Sequence, residues 1–193
     1  MKESEEQTLI NNKNLIVNKK DLKVIKNKTN DYSIFYNIKN TNIYLSKIIN
    51  FNIIQLIYEI NKDIFDECNV EIINENEATV YIIMKHYFKE IGFPQKYCYL
   101  NVKLLKNINN IQFQFKTIYD KTPSTVKVPK EATLLLIDNM EVIYNIIDDH
   151  NIDLTHNVYF SKNFEIPEFV ENFSLILFSK MFIRTKQFIE KIT

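Results

Sequence analysis

Apolar residues recur along this chain with two different periods, and the switches between them mark out its elements. YSIFYNI (32–38) alternates ahead of a KNTN turn and predicts a first strand. Ile49, Ile53, Leu56, Ile57, Ile60 and Ile64 then follow the 3.6-residue period, with Gln55, Glu59, Lys62, Asp63 and Asp66 opposite them, which predicts an amphipathic helix over roughly 47–68. After an acidic connector, NVEIINENE, the residues Val80, Met84, Tyr87, Phe88 and Ile91 share a face of a second expected helix. Gly92 comes directly after the last of them, with Pro94 two residues on. A residue without Cβ suits the left-handed position that closes a helix, and proline prevents its resumption, so Gly92 is expected to be a helix end.

The period then becomes two. Cys98, Leu100, Val102 and Leu104 alternate with Tyr97, Tyr99, Asn101 and Lys103, while Ile111, Phe113 and Phe115 alternate with Gln112, Gln114 and Lys116. This predicts a β-hairpin, and because the apolar positions are even on one strand and odd on the other, its loop around Asn107–Asn110 must hold an even number of residues. A proline-marked loop, KTPSTVKVPKE, leads to a short strand, ATLLLID (132–138). The next stretch fits two patterns. Met140, Ile143, Tyr144 and Ile147 suit a helix begun by an Asp138–Glu141 capping box, whereas Val142, Tyr144 and Ile146 alternate and match Leu154, His156 and Val158 across a loop Asp149-His150-Asn151. The hairpin is the expectation taken here. Pro167, Glu168 and Glu171 open a final helix whose end carries Arg184, Lys186 and Lys191, in agreement with the helix dipole. Its stripe of Ile166, Val170, Phe173, Leu177, Met181, Phe188 and Ile192 is widened by Phe169, Ile176, Phe178, Phe182 and Ile189, so the helix is expected to be buried on more than one side or to meet a partner.

Composition alters the weight of these patterns. The 193 residues include 31 Ile, 25 Asn and 23 Lys against one Arg and one Gly, a bias of A/T-rich coding that inflates β-branched content everywhere. Residues 1–30 mix Asn and Lys without a sustained period and read as a mobile tail, leaving 31–193 as a single domain. Formal net charge is zero, so no global field favours polyanions or anionic lipid. Two cysteines form neither a disulfide framework nor a zinc pattern, the start of the chain is polar, and the run FSLILF is too short to span a bilayer. An intracellular protein, cytoplasmic or within an assembly and not secreted, is the expectation.

With one glycine assigned to a helix end, the chain has no Walker A loop, G-x-G-x-x-G turn or nucleophile elbow, each of which needs several glycines. His86 lacks ligand spacing. DDHNIDLTH gathers acidic and imidazole groups, but its two histidines lie six residues apart on an extended segment, too far to share a metal, and a turn accounts for it. No catalytic residue, cofactor or metal is expected. The candidate surface is the sheet face bearing Tyr97, Tyr99, Asn101, Lys103, Gln112, Gln114 and Lys116, where tyrosines could anchor a protein or stack bases.

The expected fold is α+β, an antiparallel sheet of about five or six strands on a long C-terminal helix, with two further helices in the N-terminal half. Over roughly 32–192 this element order is similar to the helix-grip arrangement of START-like lipid carriers, which implies a curved sheet wrapped around a long last helix and an interior hydrophobic cavity. The leading functional expectation is a non-catalytic interaction or structural subunit of a larger viral or parasite assembly. Two alternatives stand beside it: a carrier of a hydrophobic ligand, with Phe113, Phe115, Phe173 and Leu177 inside, and a single-stranded nucleic-acid binder using the lysine-rich tail.

Overall fold

The computed structural model describes residues 15–19, 22–119 and 126–193. Among them, ten strands form one sheet: β1 (Leu15–Lys19), β2 (Leu22–Lys28), β3 (Asp31–Lys39), β4 (Phe65–Asn74), β5 (Glu77–Met84), β6 (Lys96–Lys106), β7 (Asn110–Thr117), β8 (Thr133–Leu134), β9 (Ile137–Asp148) and β10 (Asn151–Phe160). Three α-helices accompany them: α1 (Leu45–Ile48), α2 (Asn52–Ile60) and α3 (Glu168–Lys191). The sheet order is β1-β2-β3-β10-β9-β7-β6-β5-β4, antiparallel throughout, and the short β8 adds in parallel to the start of β6 where β7 has not yet begun.

The α+β class, the large antiparallel sheet and the C-terminal helix are as the sequence predicts; the strand number is not. Ten strands replace the expected five or six for two reasons. Leu15, Val17, Leu22 and Val24 lie on paired strands β1 and β2, with β2 against β3, so residues 15–19 and 22–28 belong to the sheet and not to a tail; residues 1–14 and 20–21 lie outside the described residues. The second expected helix is also a strand. Ala78, Val80 and Ile82 alternate with Thr79, Tyr81 and Ile83, and pairing on both sides with β4 and β6 favours that period over the helical one read from Val80 and Met84. The acidic connector becomes β4 and its turn. What remains of the helix is one 3-10 turn, Lys89–Ile91, and Gly92 closes it at φ +75 with its N–H donating to the Lys89 carbonyl.

The first expected helix, over 47–68, is split and shortened. Ile49 is extended between α1 and α2, and after Ile60 the Asn61 side chain turns back to donate to the Ile57 carbonyl, which ends the helix before β4. The β6–β7 hairpin keeps the expected parity, with Leu104 opposite Phe113 and four residues between the paired Lys106 and Ile111. The stretch 137–148 is strand. Its turn is the two residues Asp149-His150, followed by a register shift at Asn151, so His156 faces Val142 and Leu154 faces Tyr144, two residues off the expected pairing but on the same face. His150 braces this turn, its Nδ1 lying 2.9 Å from the carbonyls of both Asn40 and Ile43.

The inner face of the sheet carries the core, including Val24, Leu100, Val102, Phe113, Ile152 and Ile189 from α3. All three α-helices pack on that face. Among the described residues no helix is long and apolar enough to cross a membrane, which says nothing of strands.

Candidate functional site

Helix α3 is seated differently along its length. In its second half Phe182 packs on Tyr36 and His156 at ring-centroid distances of 5.6 and 4.6 Å, and Ile189 is 1% exposed. Polar contacts secure the same half. Lys186 donates to the Asn37 carbonyl (2.6 Å) and to Glu190 (2.5 Å), Arg184 grips Asp63 through both amino groups (2.5 and 3.1 Å), and Asn61 reaches Thr185. The Asn40 amide closes the helix by donating to the carbonyls of Ile189 and Ile192. The Arg184 hydrogen bond holds the Asp63 carboxyl well below the usual carboxylate range.

The first half of α3 is no less apolar but lies loosely. Leu175 and Phe178 stand seven and four residues before Phe182, on the same face of the helix, yet both are only half-buried; Phe169 and Ile176 are 51% and 64% exposed. Beside the packing of Leu175 and Phe178 against the core, two sets of contacts hold this half down. Glu171 accepts from Lys26 and from the Tyr32 hydroxyl, each at 2.5 Å. Burial alone would raise the Glu171 carboxyl, but these hydrogen bonds outweigh it and its pKa is lowered. On the other side Phe169 and Phe173 meet Phe88, Phe93 and Tyr87 from the connector between β5 and β6, edge to face at 5.0–6.1 Å.

Beneath it the sheet offers an apolar floor that nothing covers fully. One rung runs Tyr32–Val158–Met140–Phe115–Val102–Ala78 across six strands. Its flanks are buried, while Val158 and Met140, on the two central strands β10 and β9, are half-exposed on the inner face. Ile82 and Met84 on β5 and Phe160 at the end of β10 are half-exposed in the same way. These apolar side chains lie on the inner face, the side on which α3 packs, and are only partly buried. At the opposite, closed end, under α1, the core void lined by Ile38, Leu45, Ile49, Tyr144 and Ile189 measures about 10 Å³, room for about one water.

The interior polar groups are few. His156 is buried beside Tyr36, whose hydroxyl lies 3.0 Å from Nε2, and burial pushes this imidazole down to about 3 and the Tyr36 phenol well up. His86 Nε2 lies 2.5 Å from the Phe93 carbonyl and fixes the connector that carries the aromatic cluster. No metal-binding group of carboxylate, thiol and imidazole residues forms among the described residues.

The register sets all seven residues of the sequence-derived surface on the outer face, away from the helices. Tyr97, Tyr99, Asn101, Gln112 and Gln114 are half-buried there, and Lys103 and Lys116 exposed. Their neighbours are not a basic field: Asn101 donates to Glu77, Lys103 stands opposite Glu77 and Gln114, and Gln114 opposite Glu141. Of the four interior residues expected in a carrier, Phe113 and Phe115 are packed into the core, Phe173 joins the aromatic cluster, and Leu177 is half-buried on α3. Met140 and Val158 were missed as a floor because their position depends on pairing between distant strands; the parity of β6, by contrast, already showed Lys96 sharing the side of Cys98 and Leu100.

No protein-family model matches this sequence, and no curated protein matches it. Solved structures do resemble it. Human STARD10 superposes with a TM-score of 0.67 at 9% identity, over 90% of this chain and 71% of its own. The human StarD13 (DLC2) lipid transfer and protein localization domain gives 0.66 at 9% identity, over 98% and 96%. The STAR-related lipid transfer protein from Xanthomonas axonopodis gives 0.62 at 10% identity, over 92% and 98%. At such identities the likeness establishes a shared helix-grip fold.

Proposed function

We propose that this protein is a carrier of a hydrophobic small molecule, held between the first half of α3 and the inner face of β9 and β10. The observation that carries this reading is that Met140 and Val158 on the inner face of the sheet, and Leu175 and Phe178 on the first half of α3, are apolar and only half-buried. Burying that surface is favourable at about 25 cal/mol per Å² of apolar area, and a ligand supplies the cover that the chain does not. The helix-grip likeness to lipid-transfer domains points the same way.

The groove has to widen before it admits a chain, since the one-water void at the closed end cannot. The parts that move are the first half of α3, held by Glu171, and the connector bearing Phe88 and Phe93; the second half, pinned by Asp63, Asn37 and Asn40, stays. This reading takes the place of an interaction subunit, expected from the lack of a catalytic constellation and from the apolar last helix and tyrosine-bearing sheet face, because the helix-grip likeness supports a carrier and not a docking role.

The test is native mass spectrometry of the protein as purified, together with transfer of a fluorescent lipid between vesicles. A copurifying apolar species and saturable transfer are expected. Val158→Trp fills the floor and lowers capture roughly tenfold or more with the fold intact. A protein that carries nothing, moves nothing, and is indifferent to Val158→Trp is not a carrier.

A further inference from the structure

Lys96 is a cation on the apolar side of the sheet. It precedes Cys98 and Leu100 by two and four residues on β6, so its side chain starts from the inner face, at the end of the strand next to Phe93. Its ammonium donates to Thr133 Oγ1 at 2.8 Å and lies 5.9 Å from the centre of the Phe164 ring. Five ion pairs form among the described residues, involving Lys26, Lys62, Lys180, Arg184 and Lys186; Lys96 is in none of them. Burial lowers its pKa.

From Lys96 a run of rings leads inward. Phe164 stacks on Phe160 at 5.2 Å, and Phe160 meets Tyr32 at 6.1 Å; Tyr32 begins the rung that continues through Val158 and Met140. An ammonium that has no carboxylate partner among the described residues, on a half-buried lysine at the edge of the proposed groove, is the arrangement that an amphiphile with an anionic head completes: the head against Lys96 and Thr133, the hydrocarbon along Phe164 and Phe160 to the floor.

We infer that the ligand is an amphiphile with an anionic head group, and that Lys96 is the residue that recognises its charge. This rests on the carrier reading and narrows it, since a groove alone would take neutral and acidic chains alike. A carboxylate and a phosphate monoester share the required chemistry, and the chain length is left to the groove.

Competition with cis-parinaric acid fluorescence on the full chain tests it, using oleate, oleyl alcohol, oleoyl lysophosphatidate and free inorganic phosphate as competitors. The wild type should prefer oleate or the lysophosphatidate over oleyl alcohol by roughly tenfold, the size of a charge-assisted hydrogen bond. Lys96→Met should erase that preference while oleyl alcohol binds as before, and Lys96→Arg should retain it. Equal affinity for oleate and oleyl alcohol in the wild type, or a preference that survives Lys96→Met, overturns the assignment and leaves the carrier reading standing. Phosphate competing as well as the lysophosphatidate would make this an ion site and overturn it too. Failure of every amphiphile to bind the folded wild type defeats both readings.

Discussion

His156 is buried against Tyr36 and Phe182, and that burial alone holds it neutral down to about pH 3. In the unfolded chain an imidazole takes up its proton near pH 6.5. Between those values the unfolded state binds more protons than the folded one, so stability falls as pH drops through the window, by up to ~1.4 kcal/mol per pH unit. Glu171 and Asp63, with lowered pKa values, add their own loss only as pH falls into and below the carboxylate range, near 4. Urea midpoints between pH 6.5 and 5 therefore lie above the range of these two carboxylates. The wild-type midpoint should fall across that interval, and the double variant Tyr36→Phe with His156→Phe, which removes both hydrogen-bonding partners, should be flat; equal slopes would contradict the assignment. At Gly92 the question is backbone only. A Cβ there would meet no atom within 4 Å, so Gly92→Ala should cost about 1 kcal/mol from the left-handed conformation alone, and Gly92→Asn less, read from the same denaturation curves.

At the scale of elements, α3 is two helices in one. Its second half is buried, capped by Asn40 and clipped by Arg184 and Lys186, whereas its first half rests on Glu171 and an aromatic cluster. Amide hydrogen exchange should be faster over 168–178 than over 181–191. Asn40→Ala, which uncaps two carbonyls, should destabilise by roughly 1–2 kcal/mol and speed exchange in the last turn. Exchange that is uniform along α3 would count against a movable first half. Element by element, the sequence disclosed most where one period was unopposed: β3, the parity of β6–β7, and the helix that starts after Pro167. It misled where isoleucine-rich stretches satisfied two periods at once, as at β5, or where a side chain stopped a good helical pattern, as Asn61 does after α2. β1 and β2 were hidden because Leu15, Val17, Leu22 and Val24 are sparse among lysines and asparagines, and their place in the sheet rests on the pairing of β2 with β3. The inner-face floor could not be read at all, since Met140 and Val158 come together through strands paired over long separations, but Lys96 was visible as a charged residue in the apolar phase of β6, which Lys106 shares at the other end of the strand.

For the whole molecule, the sheet and α3 enclose one tight end and leave one open. The tight end, under α1, leaves a void of about 10 Å³, and the other end leaves inner-face apolar side chains partly buried, the surface that the proposed ligand would cover. A helix-grip fold shared at 9% identity shows that this arrangement of strand order and one long helix is reached by very different sequences. Hydrogen exchange of the full chain with and without cis-parinaric acid tests the account most directly. It predicts saturable uptake, with new protection concentrated over 168–178 and over 85–95, where the first half of α3 and the aromatic connector close on the ligand. No uptake, or protection confined to the outer face around Tyr97 and Tyr99, would contradict it.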